Sequence, residues 1–135
     1  MTHGYANRIQ TTDEEMNIAD MISRLIIQKK KNEEREDLDG KPKLFFVEVC
    51  REAPELEPLN LPLDLDDVLI FHSTYHGKKS SRSRTQGTWF IQELCKKIDS
   101  IPDGRSVSLT DFLQNIQKEV VEKYGAEHMP AIYST

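Results

Sequence analysis

The chain has 135 residues, a length that suits one domain around one modest core. At 37% hydrophobic and 30% charged, with a net charge of −5, it carries no basic field to draw it to nucleic acid or anionic lipid. Its apolar runs are too short to span a bilayer and MTHGYANRIQ at the start has no secretory signature, so no membrane partner and a cytoplasmic location are expected.

Residues 12 to 30 read as a helix. Thr12 and Glu15 fit a capping box, and Ile18, Met21, Ile22, Leu25 and Ile26 recur at helical spacing. The charged stretch KKKNEEREDLDGKP then closes on Gly40 and Pro42 as a helix end and loop. Residues 43 to 50 form the first strand. LFFVEV is β-branched, aromatic and nearly continuous in apolarity, as in a strand covered on both faces. Residues 51 to 66 are a linker, because Pro54, Pro58 and Pro62 exclude a regular helix or a central strand.

VLIFHST at 68 to 74 is the second strand, followed by the polar loop YHGKKSSRSRTQG. Thr88 can cap the next helix, whose expected buried face is Ile91, Leu94, Cys95 and Ile98. A last helix begins near Leu109 behind a Ser108–Asp111 capping box and stops at Gly125. Its stripe is Leu109, Leu113, Ile116, Val120 and Tyr124, and MPAIYST is a short final strand. The class is α/β, a mixed sheet covered by helices, in which sites lie beyond the carboxyl ends of strands.

Cys50 stands at such an end. Alone, it reads as a small buried hydrophobe or as a nucleophile, and a nucleophile needs a base and an oxyanion site. His3, 47 positions upstream, is the first candidate base. Gly4 beside it allows close backbone approach to a developing oxyanion. In the absence of a secretory signal, Cys50 and Cys95 are expected to be free thiols. No Cys/His cluster has zinc spacing, and no metal or cofactor is expected. Taken alone, Arg82 reads as a solvated charge and Trp89 as core packing. His72, His76 and His128 read as structural or surface residues, and Cys95 as a core position.

Residues 44 to 52 resemble the active-site segment of caspases, whose motif reads Gln-Ala-Cys-Arg-Gly with a histidine about 50 residues upstream. DDVLIFHST resembles the first strand of the caspase small subunit. GKKSSRSRTQGTWFIQELC resembles its substrate loop and following helix, and KEVVEKYGAEHMPAIYST its last helix and strand. The resemblance implies a single caspase-like domain, residues 1–135. Residues 1–50 match the end of a large-subunit-like region, 51–66 a linker and 67–135 a small-subunit-like region. It implies a mostly parallel mixed sheet, lacking the strands that precede the histidine in the family.

The implied activity is cysteine endopeptidase cleavage of proteins after aspartate, in apoptotic or inflammatory signalling. Cys50 would be the nucleophile and His3 the acid/base. Gly4 and Cys50 would offer oxyanion-hole amides. Arg82 would grip the aspartate, with Ser80, Trp89 and Glu48 as further pocket positions. The implied partners are protein substrates, and a homodimer or a heterodimer with another caspase chain through the last strand.

Departures from the pattern support an alternative, a catalytically impaired homologue that binds and regulates active caspases. Glu48 stands where the family has glutamine and Glu52 where it has glycine. Like charge from Glu48 at ~4 Å from a substrate carboxylate would cost about 4 kcal/mol at an effective dielectric near 20. Alternatively, Glu48 pairs with Arg82. Glu52 would raise the thiol pKa, with Arg51 partly offsetting it. Ser81 replaces an aromatic pocket wall, and only Met1 and Thr2 precede His3, as in a fragment or truncated homologue. Asp64, Asp66 and Asp67 read as a solvated acidic loop or as processing sites.

Overall fold

The computed structural model describes residues 3–31, 40–53, 59–61 and 65–135, with backbone alone for 27–31. Pro54, Pro58 and Pro62 of the expected linker, Asp64, and residues 32–39 of the expected charged helix end and loop lie outside the described residues.

The chain opens on a small antiparallel sheet: β1 (His3–Tyr5), β2 (Arg8–Gln10) and β3 (Glu15–Asn17). Helix α1 (Ile18–Lys31) therefore starts six residues later than the sequence pattern predicts. The predicted Thr12–Glu15 box is not a cap. The Thr11 hydroxyl instead closes the β2–β3 turn, accepting from the Glu14 amide at 3.0 Å, and Glu15 pairs with Arg8 across the hairpin at 3.2 Å. The cap is Asn17, whose Oδ1 accepts from the Ala19 amide at 2.8 Å. Hydroxyl and acidic residues serve turns and caps alike, so composition alone did not separate them.

The main sheet has the order β4 (Lys43–Val47), β5 (Val68–His72), β8 (Ala131–Ser134). β4 runs parallel to β5, with Leu44 opposite Leu69 and Phe46 opposite Phe71. β8 returns antiparallel, with Tyr133 opposite Ile70. Alternation along β5 feeds two cores. Val68 and Ile70 pack with Ile18, Ile22, Ile26 and Val47 under α1. Phe71 packs with Phe90, Leu94, Leu113, Ile116 and Val120 under α2 (Trp89–Asp99) and α3 (Leu109–Tyr124). Each fully buried Ile or Phe there contributes about 1.5–3 kcal/mol of transfer free energy.

β4 departs from the predicted two-sided cover. Phe45 packs toward α1, but Leu44 and Phe46 are each 41% exposed, because the α2–α3 layer packs over β5 and β8. The expected α2 face is also rotated. Phe90, Glu93 and Leu94 are buried, whereas Ile98 is half exposed and Cys95 is a surface thiol, not a core residue. The reason is Glu93, which is buried because Lys96, Lys123 and the Tyr124 hydroxyl all converge on its Oε1 at 2.6–3.0 Å. Charged residues are read as outward-facing, so the stripe is mis-phased. Thr88 does occupy the N-cap position of α2, but its hydroxyl makes no cap bond. Ser108 caps α3 as expected, accepting from the Asp111 amide at 3.3 Å, and Gly125 ends it with φ of 102°. Leu109, at the start of the stripe, is 38% exposed.

Candidate active site

Cys50 lies three residues beyond β4, half-buried, on a segment held by its neighbours rather than by a sheet. The Ser73 amide donates to the Val47 carbonyl at 2.9 Å. The Arg51 amide donates to the Lys78 carbonyl and the Gly77 amide to the Arg51 carbonyl, both at 2.8 Å. The Cys50 thiol points at the Ser80 carbonyl, 3.8 Å away, a weak contact.

β1 lies directly on this segment. A Cβ built on Gly4 would stand 2.7 Å from the Cys50 carbonyl oxygen and 2.8 Å from the Val49 Cβ. The Ala6 amide continues the contact, donating to the Glu52 carbonyl at 3.2 Å. Gly4 is therefore required by space, and the fold brings the His3–Gly4 pair to the nucleophile candidate. His3 itself is exposed and makes no hydrogen bond to Cys50 among the described residues. Acid–base contacts in unliganded sites are often loose and close only around substrate.

Ser80 joins the thiol to the neighbouring pocket. Its carbonyl faces Cys50, and its hydroxyl donates to Glu48 Oε1. The Ser73 and Thr88 hydroxyls also face the Glu48 carboxyl. Glu48 Oε2 is buried and has no hydrogen-bond partner among the described residues. Burial pushes the Glu48 pKa above the usual carboxylate value, with the surrounding hydroxyls working against it. The expected alternative of a Glu48–Arg82 ion pair does not form. Arg82 begins β6 (Arg82–Ser83), opposite Thr88 of β7 (Gly87–Thr88), and its side chain is exposed. Cross-strand partners share a face, so Arg82 projects on the side of Thr88.

Trp89 stacks on Tyr124, with centroids 4.4 Å apart and planes 7° from parallel, and meets the edge of His128 at 4.8 Å. It also lines a small cleft with Ser73, Lys79, Ser80, Ser81 and His128. Its packing and pocket readings are thus compatible. Glu52 faces outward to Lys79 at 3.4 Å, both exposed, which answers part of its expected effect on the thiol.

Arg51 is the largest departure. It was expected to offset Glu52 beside the thiol, yet it is 1% exposed and points into the protein. Its guanidinium donates to Tyr133 Oη at 2.7 Å, to Asn7 Oδ1 at 2.6 Å and to the Ala6 carbonyl at 3.4 Å. It also lies 5.2 Å from the centre of the Tyr133 ring. One buried cation thus ties the residue after Cys50 to the β1–β2 turn and to β8. Asn7 and Tyr133 gave no local signal in sequence, because their partner is 44 and 82 residues away. His72 is fully buried beside them. Burial first, and then the Arg51 charge, lower its pKa to about 3, so it is neutral. That agrees with its structural reading.

A thiol just past the carboxyl end of a parallel strand, with a His–Gly segment packed on its backbone and an arginine hairpin nearby, defines a cysteine-peptidase-like α/β domain. A family model described as "Caspase domain" matches residues 1–135, and the chain belongs to that family. The chain is 24% identical over 149 residues to caspase-6 of Bos taurus, covering 91% of this chain and 48% of the relative. It is 26% identical over 145 residues to caspase-7 of Gallus gallus, covering 94% and 45%. Over 61 residues it is 43% identical to "Putative inactive caspase B" of Caenorhabditis elegans, covering 45% and 22%. The chain spans about half the length of the caspase-6 and caspase-7 relatives it matches. No helix among the described residues is long and apolar enough to cross a membrane.

Proposed function

We propose that this chain is the core of a caspase-type cysteine endopeptidase that cleaves proteins after aspartate, in apoptotic or inflammatory signalling in the cytoplasm. The observation that carries it is the packing of Gly4 on the Cys50 carbonyl. In this reading the Cys50 thiolate attacks the scissile carbonyl and His3 protonates the leaving amine. The Gly4 and Cys50 amides receive the oxyanion. Arg82 offers paired donors to the substrate aspartate, and Ser80, Trp89 and Glu48 complete the pocket. The Cys-bearing part ends at residue 50, the linker covers 51–66 and the Arg-bearing part covers 67–135. Dimerisation would use the last strand, with another copy or another caspase.

A second reading is a catalytically impaired homologue that binds and regulates active caspases. The Glu48 carboxyl favours it, because in its ionised form it places like charge beside an acidic substrate side chain, while burial works against that ionisation.

Peptide cleavage after aspartate, abolished by Cys50→Ala, tests the first reading. Glu48→Gln is expected to raise kcat/KM about tenfold or more, the equivalent of removing 1.4 kcal/mol of repulsion. No cleavage by either the wild type or Glu48→Gln, at high protein concentration, refutes the enzyme. Co-purification with an active caspase that survives Cys50→Ala supports the regulator.

A further inference from the structure

From Val68 to Gln92 the chain carries no acidic residue, although its net charge is −5. Within that span, residues 78 to 84 hold Lys78, Lys79, Arg82 and Arg84 around Ser80, Ser81 and Ser83. No helix or strand covers residues 77 to 81. A kinase substrate cleft lined with carboxylates selects cations flanking its acceptor, a charge pattern that determines specificity.

The structure separates the hydroxyls of this loop. Ser80 is 9% exposed and donates to Glu48. Ser83 Oγ is tied into a turn, accepting from the Thr85 and Gln86 amides at 3.3 Å, and Thr85 Oγ1 lies 3.3 Å from it. Thr88 faces Glu48. The Ser81 hydroxyl has no partner among the described residues, and Ser81 is half-buried and lines the cleft together with Lys79, Trp89 and His128.

We propose that Ser81 is a phosphorylation site for a serine kinase that requires cations three and two residues before its acceptor, here Lys78 and Lys79. The Ser81 oxygen attacks the γ-phosphorus of a nucleoside triphosphate held by that kinase. The bond to the β,γ-bridging oxygen breaks, the nucleoside diphosphate leaves with the electron pair, and the hydroxyl proton passes to the kinase's carboxylate base. The phosphate stands next to Arg82 in sequence and beside Lys79, where it forms charge-assisted hydrogen bonds. A substrate aspartate then meets a site made more negative. This consequence rests on the proposed endopeptidase reading; the modification does not.

The test incubates the full chain with such a kinase and a nucleoside triphosphate, and maps the phosphate by tandem mass spectrometry. Phosphate on Ser81 is expected, absent from Ser81→Ala and incorporated about tenfold more slowly in the Lys78→Ala/Lys79→Ala variant, the effect of 1.4 kcal/mol. Phosphate on Ser80, Ser83 or Thr85 with Ser81 bare overturns the proposal. So does no incorporation in a reaction where the kinase modifies its reference substrate. A peptide aldehyde ending in aspartate reads the consequence, and its Kd is expected to rise at least about tenfold on phosphorylation. Equal Kd for the two forms refutes inhibition. Binding by neither form counts against the endopeptidase reading, while the mapped phosphate still decides the site.

Discussion

Gly4→Ala is the most direct perturbation of the proposed site. The added Cβ would lie 2.7 Å from the Cys50 carbonyl oxygen, 2.8 Å from the Val49 Cβ and 3.1 Å from the Arg8 carbonyl oxygen. Ordinary carbon contacts sit at about 3.5–4.0 Å. β1 or the 49–50 peptide must therefore move by roughly 1 Å, since two of the three obstacles are backbone atoms. Overpacking of this kind costs about 1–3 kcal/mol. A shift of that size between base and nucleophile costs about 10²-fold in rate.

Three measurements follow the displacement. The urea midpoint should fall, the Ala6 amide should lose hydrogen-exchange protection because its bond to the Glu52 carbonyl at 3.2 Å is strained, and any cleavage should drop. Gly104→Ala is the control. A Cβ there meets nothing within 4 Å, and its φ of 74° costs an alanine about 1–2 kcal/mol of strain. Both variants lose comparable stability, but only Gly4→Ala exposes the Ala6 amide. A Gly4→Ala protein with wild-type Ala6 protection would refute the packing of β1 on the Cys50 segment.

Arg51→Ala should lower unfolding free energy by about 3–5 kcal/mol, since it leaves Asn7 Oδ1 and Tyr133 Oη without their donor and opens a cavity. Arg51→Lys should not restore it, because an ammonium cannot reproduce the fork; an unchanged urea midpoint for the lysine variant would reject this account. His72 has a folded pKa of about 3 against 6.5 when free, so the unfolded chain alone takes up its proton between those values. Stability is unaffected above pH 6.5 and falls as pH drops, by about 1.4 kcal/mol per unit in mid-window. His72→Leu should flatten the slope of the urea midpoint there, and an unchanged slope would show that His72 is not buried neutral. For Glu93, burial works to raise the pKa, but the Lys123, Lys96 and Tyr124 bonds hold it below 4.5. Its stabilisation is present above that value and lost as pH falls through the folded pKa, so the Tm deficit of Glu93→Gln should shrink in acid.

Periodicity and capping chemistry were enough to locate β5, α2, α3 and β8, and the Ser108 and Gly125 helix ends, because those signals depend on residues within a few positions of each other. The order of the motifs was enough to assign the family. Local signals failed where one residue type serves two structures, as with Thr11 to Glu15, which build a hairpin instead of a helix start. They also failed where a charge is buried by distant partners. Glu93 rotated the α2 face and left Cys95 outside, and Arg51 turned inward to Asn7 and Tyr133.

For the site, the sequence by itself determined which residues carry reactive or charged groups: the Cys50 thiol, the His3–Gly4 pair and the Arg82 loop. Only the tertiary structure decided their relations. It put Gly4 against the Cys50 carbonyl, turned Glu48 to Ser80 instead of Arg82, and sent Glu52 outward to Lys79. Those outcomes depend on contacts between segments 27 to 46 residues apart in the chain, which no local pattern encodes.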